Sequence, residues 1–120
     1  MIDHVKVGVS DLEAAKEYYA KALAPLGYRV EFEAEGMVYF ADSKGLDFGV
    51  GTDLQAGGAH VGFTVPDPAT VQAFYDAAIA AGGADNGPPG PRPEYGEDYY
   101  AAYVLDPDGN NVEALCHTSA

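Results

Sequence analysis

Two histidines and one glutamate carry the chemistry most easily read from this chain. His4 opens the segment HVKVGV, His60 opens HVGFTV, and Glu113 lies in NNVEALCH near the end of the 120 residues. Apolar residues alternate in each segment: Val5, Val7 and Val9 in the first, Val61, Phe63 and Val65 in the second, and Val112 and Ala114 around Glu113. A period of two is that of a β-strand, so His4, His60 and Glu113 fall on faces opposite the apolar side chains. If helices cover the apolar faces, the three polar groups share the uncovered side and can converge. Two imidazoles and a carboxylate form a facial set that holds a divalent metal with open coordination positions. Such an ion is a Lewis acid for a substrate with two neighbouring oxygens. Singly, each residue reads more simply as a polar group on a strand. The metal reading rests on the three taken together.

What relates them is an internal repeat. HVKVGVSDLEAAKEYYAKALAPLG from His4 and HVGFTVPDPATVQAFYDAAIAAGG from His60 align without a gap at an offset of 60 − 4 = 56. In that register Val5 matches Val61, Val9 matches Val65, Asp11 matches Asp67, and Tyr18-Tyr19 match Phe74-Tyr75. Leu23 matches Ile79 and Gly27 matches Gly83. A period of half the chain predicts two copies of one small unit. Each copy begins with a strand and then a helix. Ser10 with Glu13 fits a capping box, and Asp67 followed by Pro68 fits an N-cap with proline at the first helical position. Helically spaced apolar residues follow, namely Leu12, Ala15, Tyr19, Ala22, Leu23 and Leu26, then Val71, Phe74, Tyr75, Ala78 and Ile79. Gly27 and Gly82-Gly83 supply helix stops.

Strands are expected at 28–34, 37–41 and 46–51, and again at 99–105 and 111–116. Four prolines between Pro88 and Pro93 predict a loop with little regular structure, so the second copy's middle strand is expected to be short or lost. Asp106-Pro107-Asp108-Gly109 reads as a turn that closes a bulged hairpin. That register places Tyr103 opposite Glu113, on one face with Tyr99 and Ala101. A two-residue turn would place Tyr100 and Ala102 there instead. Arg92 and Tyr95, in the proline segment, could lid the cleft, and Arg92 is a natural partner for a carboxylate or phosphonate. The fold expected is α+β: one domain over residues 1–120, with two βαβββ modules (about 1–55 and 57–118) forming curved sheets around an open cleft.

Composition narrows the partners. Six Lys and Arg against nineteen Asp and Glu give a net charge of −13, a field that repels phosphate backbones and anionic lipid. Neither nucleic-acid nor membrane binding is expected. One cysteine, Cys116, excludes an internal disulfide framework. No signal peptide or membrane span is visible, and a cytoplasmic location is expected.

His4, His60 in AHVGFTV and the terminal DPDGNNVEAL together resemble the vicinal oxygen chelate superfamily of glyoxalase I, extradiol dioxygenases, fosfomycin-resistance thiol transferases and bleomycin-binding proteins. The resemblance covers nearly the whole chain. It implies that His4, His60 and Glu113 hold one divalent ion, Fe, Mn, Zn, Ni or Co. It also implies a small-molecule substrate and a homodimer whose sites are often completed between subunits. Tyr103 resembles a substrate-contacting tyrosine of the thiol transferases, which makes it the candidate catalytic residue, with Arg92, Tyr95 and Tyr99 as further candidate substrate contacts. Glyoxalase I has a fourth, carboxylate ligand in the last strand of its first module. Aligning Gly45 with Gly109 places Gly49 there, a departure that favours a three-ligand site. The second reading is a metal-free protein that sequesters a small aromatic or antibiotic ligand in a tyrosine-lined cleft.

Overall fold

The computed structural model describes residues 1–118. The first half runs β1 (Val5–Gly8), α1 (Leu12–Ala22), a short 3-10 turn (Ala24–Leu26), β2 (Arg29–Ala34), β3 (Met37–Asp42) and β4 (Gly45–Gly51). The second half repeats the pattern as β5 (His60–Thr64), α2 (Pro68–Ala80), β6 (Ala84–Pro91), β7 (Tyr100–Leu105) and β8 (Asn111–Cys116). Each half forms its own four-stranded sheet, in the order β1-β4-β3-β2 and β5-β8-β7-β6. In both, the first and last strands pair in parallel and the rest are antiparallel. This is the α+β architecture of two tandem modules with unclosed sheets.

The alternation read from sequence sets which face is covered. Val7, Val9, Phe40, Phe48 and Val50 of the first half and Phe63, Val65, Val104, Val112 and Ala114 of the second are buried in one core with Tyr19, Leu23, Val71 and Phe74 of the helices. Phe48 and Phe63 join the halves, ring centroids 5.2 Å apart. Burying each such side chain contributes roughly 1.5–3 kcal/mol. The opposite face of each sheet is left free of helix.

Two local expectations are corrected. The cap of α1 is Asp11, whose Oδ1 accepts from Ala14 N at 3.1 Å. Ser10 is instead bonded to the second half: its Oγ donates to Asp108 Oδ1 at 2.6 Å. Asp67 does cap α2, with Pro68 inside it. The larger correction is the proline segment, because Ala84–Pro91 is a full strand, β6, paired to β7. It lies at the sheet edge, where a missing proline N–H leaves no neighbour unpaired. Its register breaks on either side of Gly87, as bulges permit.

The turn 106–110 binds the halves together. Buried Asp106 accepts from Tyr19 Oη at 2.5 Å and from Asp108 N, Asn110 N and Asn110 Nδ2, each at 2.9 Å. Asn110 Nδ2 also donates to Gly8 O at 3.0 Å, and Asn110 Oδ1 accepts from Ala59 N at 3.1 Å. Gly109 adopts φ 89°, the left-handed conformation that favours glycine. The DPDGN signature is therefore a structural clamp that fixes where β8 begins, two residues before Glu113.

Candidate functional site

The uncovered face of the second sheet gathers most of the predicted residues. The hairpin register pairs Tyr103 with Glu113 and leaves Tyr100 on the core side. Glu113 is only 3% exposed. Its Oε1 lies 2.9 Å from His60 Nε2, and its Oε2 accepts from Tyr99 Oη at 2.5 Å. A carboxylate buried this deeply requires partners on its oxygens, and both are met by residues of the same pocket. His60, Asn86, Tyr95, Tyr99, Tyr103, Asn111 and Glu113 line a cavity of about 460 Å³. Tyr95 and Tyr99 face each other with centroids 5.5 Å apart. The His60 and Tyr103 centroids are 6.3 Å apart.

Both inner phenols are held neutral. Burial first, then the negative charge of Glu113, pushes Tyr103 up to about 12. Burial and the hydrogen bond to Glu113 raise Tyr99 well above the ordinary phenol range. Each is thus an O–H donor at any ordinary pH. Arg92 does not line this cavity. Its guanidinium lies 5.4 Å from the Tyr103 ring centroid and donates to Pro88 O at 2.6 Å and Pro91 O at 3.2 Å.

The first sheet repeats the arrangement without the acid. Tyr39 pairs with Gly49 as Tyr103 pairs with Glu113. The His4 ring stands edge-on to Tyr39 at 5.8 Å, and His4 Nδ1 is 2.7 Å from Asp3 Oδ1. A Cβ on Gly49 would lie 2.2 Å from Tyr39 Cδ1, so the tyrosine ring occupies the space a ligand side chain would need. Lys6, beside Gly49 in the ladder, is bonded to Asp53 at 2.7 Å. His4 stays with this face. Among the described residues, no three His, Cys, Asp or Glu side chains come together closely enough to hold a metal ion. A second cavity, of about 490 Å³, opens between the halves and is lined in part by Asp3, Tyr28, Asp47, Phe48 and His60.

Three residues of these faces escaped sequence reasoning. Tyr39 was visible in principle, since the turn-glycine alignment that places Gly49 against Glu113 also places Tyr39 against Tyr103. Asn111 has the strand parity of Glu113. Asn86 lies in the proline-rich segment whose strand had no readable period.

Residues 1–114 match the family model described as the Glyoxalase/Bleomycin resistance protein/Dioxygenase superfamily. The fold is similar to a glyoxalase/bleomycin resistance protein from Albidiferax ferrireducens T118, at 36% identity and TM-score 0.83 over 97% of this chain and 98% of that one. It is also similar to a glyoxalase-related enzyme from Fulvimarina pelagi (20% identity, TM-score 0.75, 97% and 87% covered). A lactoylglutathione lyase from Agrobacterium tumefaciens matches at 20% identity and TM-score 0.73, with 97% and 92% covered. No curated protein matches. No helix among the described residues is long and apolar enough to cross a membrane.

Proposed function

Since the chain belongs to the glyoxalase/bleomycin resistance protein/dioxygenase superfamily, we propose that it is a small metal-dependent enzyme whose site is shared by two copies of the chain. His60 and Glu113 of one copy and His4 of the other would hold one divalent ion. The observation that carries this reading is the complementarity of the two uncovered faces. The second sheet offers an imidazole nitrogen and a carboxylate oxygen 2.9 Å apart, and among the described residues no second histidine lines their cavity, His117 standing edge-on to Tyr99 at 5.3 Å without lining it. The first offers His4, edge-on to Tyr39, on a face where Gly49 stands in the ladder position of the acid. Placing one face over the other would complete the donor set.

The bound ion would supply Lewis acidity toward a substrate with adjacent oxygens. The chain's own residues do the rest. The Tyr99 phenol fixes the carboxylate rotamer through Oε2, leaving Oε1 to the imidazole side. The neutral Tyr103 phenol faces the same cavity as a hydrogen-bond donor to the substrate. Arg92 steadies the Tyr103 ring, and the Tyr95 loop limits water entry. Gly49 in place of a fourth ligand leaves out the carboxylate base of glyoxalase I and favours dioxygenase or thiol-transfer reactions, with other lyase and isomerase chemistry open to the same site.

Mixing complementary variants tests the shared site. His4→Ala and Glu113→Gln should each bind no metal alone. Mixed and re-equilibrated, they should recover metal at up to one site per mixed dimer. No recovery in a demonstrated mixed dimer would overturn the shared site. A specific observation favours a second reading: within one chain both Glu113 oxygens are already partnered, and the cavity is lined by tyrosines. That is the arrangement of a metal-free binding protein, and it predicts that wild-type protein takes up no ion at all.

A further inference from the structure

We propose that Lys6 is a substrate-binding residue of the shared site, and that the substrate is an acid carrying a carboxylate beside its two adjacent oxygens. The inference rests on the reading above in taking the His4 face of one copy to cover the Glu113 face of another. It adds a residue and a substrate charge which that reading leaves open.

The internal repeat brings the two faces into comparison. In the parallel ladder of the second sheet Gly62 pairs with Glu113, and in that of the first Lys6 pairs with Gly49. These positions correspond, since the offset of 56 carries Lys6 onto Gly62, and Gly49 and Glu113 each pair with a tyrosine on the other side. The module with the acid has no side chain beside it. The module without the acid has an ammonium there. Placing one face over the other sets a carboxylate on one wall and a cation on the opposite wall. Lys6 also shares its strand face with His4, because Val5 and Val7 point into the core. Two residues of strand separate His4 and Lys6 by about 7 Å, a span that one small substrate covers.

The lysine is held on this face. Its Nζ donates to Asp53 at 2.7 Å, and the side chain is only 20% exposed. Gly51 makes the room: a Cβ there would lie 2.5 Å from Asp53 Oδ1 and 3.1 Å from Lys6 Cδ. The pair lies flat on the sheet only because β4 has no side chain at that point. The bond to Asp53 raises the ammonium above its ordinary value, so it is charged at any ordinary pH. An ammonium has three N–H groups, of which this bond takes one. The other cations stand elsewhere. Lys16, Lys21 and Arg29 pair with acids of α1 and β2, Lys44 lines the cavity between the halves, and Arg92 lies outside the tyrosine-lined cavity. In a chain of net charge −13, an ammonium fixed beside His4 is the local field that draws an anion to this face.

Calorimetry on the whole chain, with and without added Zn(II), compares 3,4-dihydroxybenzoate with its neutral amide, 3,4-dihydroxybenzamide. Both offer adjacent oxygens, and only the first carries an anion. The benzoate is expected to bind about tenfold more tightly, with the margin shrinking as salt rises. Lys6→Gln should erase that margin and leave the amide unchanged, whereas Lys6→Arg should keep most of it. Asp53→Asn separates binding from structure, because it breaks the same ion pair. It would mimic Lys6→Gln if the lysine only tied down residues 52–59, and it should preserve the margin if the lysine binds the anion. Zinc content is read in parallel. Zinc absent from wild type, or kept in full by His4→Ala, would overturn the shared metal site, while a margin erased by Lys6→Gln upholds Lys6 in either case. No measurable binding of the benzoate, no margin in wild type, a margin that persists in Lys6→Gln, or its loss in Asp53→Asn would overturn the inference.

Discussion

At the scale of single residues, one substitution between the repeats separates the two halves. Glu113 and Gly49 occupy corresponding ladder positions, each opposite a tyrosine. The acid is accommodated because His60 and Tyr99 take its two oxygens. At Gly49 the Tyr39 ring lies where a side chain would begin. Gly49→Ala should therefore destabilise the chain by about 1–3 kcal/mol through overpacking, and Tyr39→Ala in the same chain should remove most of that cost. Urea denaturation of the two single variants and the double variant checks this, and additive losses would contradict it. The positions of Glu113, His60 and Tyr103 were legible because strand parity assigns faces without knowledge of the fold. The side-chain partners were not: nothing in the spacing says that Tyr99, outside the strand and fourteen residues away, would reach Glu113.

At the scale of elements, strands with apolar alternation and helices with capping residues were readable, since each signal is local. Ser10 and Asp11 show the limit of that reading. Both can cap a helix, and Asp108, ninety-eight residues away, engages Ser10 and leaves the cap to Asp11. β6 shows it more strongly, because Pro88, Pro89 and Pro91 erase the period of a strand that only its edge position tolerates. The 106–110 turn is the element on which the site depends. Asp106→Ala would strip partners from the buried Tyr19 hydroxyl and from Asn110. A loss of about 3 kcal/mol is expected, since bonds to a charged group are individually worth about 1.5–3 kcal/mol. Chemical denaturation measures it, and a change under about 0.5 kcal/mol would mean the turn is not the clamp described here.

At the scale of the whole molecule, the chain is strongly acidic and rich in tyrosines that resist ionisation. Tyr18, Tyr19, Tyr28, Tyr99 and Tyr103 are all raised, burial being the first cause in each. The folded state thus holds these protons more tightly than the unfolded chain, whose phenols titrate near pH 10. The stability this lends is complete below about pH 10 and is lost as pH climbs through the folded values, about 12 for Tyr103. Unfolding midpoints should hold steady to about pH 9 and fall steeply above about pH 10, with tyrosinate absorbance appearing in step with unfolding. Tyrosinate appearing well before unfolding would contradict the burial argument. The tandem α+β plan was legible from the 56-residue offset. How the halves face a second copy was not, because an internal repeat fixes what the modules are and leaves their pairing to surfaces such as Phe32 and Tyr39, whose spacing is that of any exposed strand.

The proposed function stands on His60 and Glu113 binding a divalent ion. Its most direct measurement is elemental analysis of protein purified without an affinity tag or chelator, wild type beside Glu113→Ala. About one ion per chain is expected in wild type and none in the variant. Absence of metal from wild type, even after incubation with Fe(II), Mn(II), Ni(II), Co(II) and Zn(II), would contradict it.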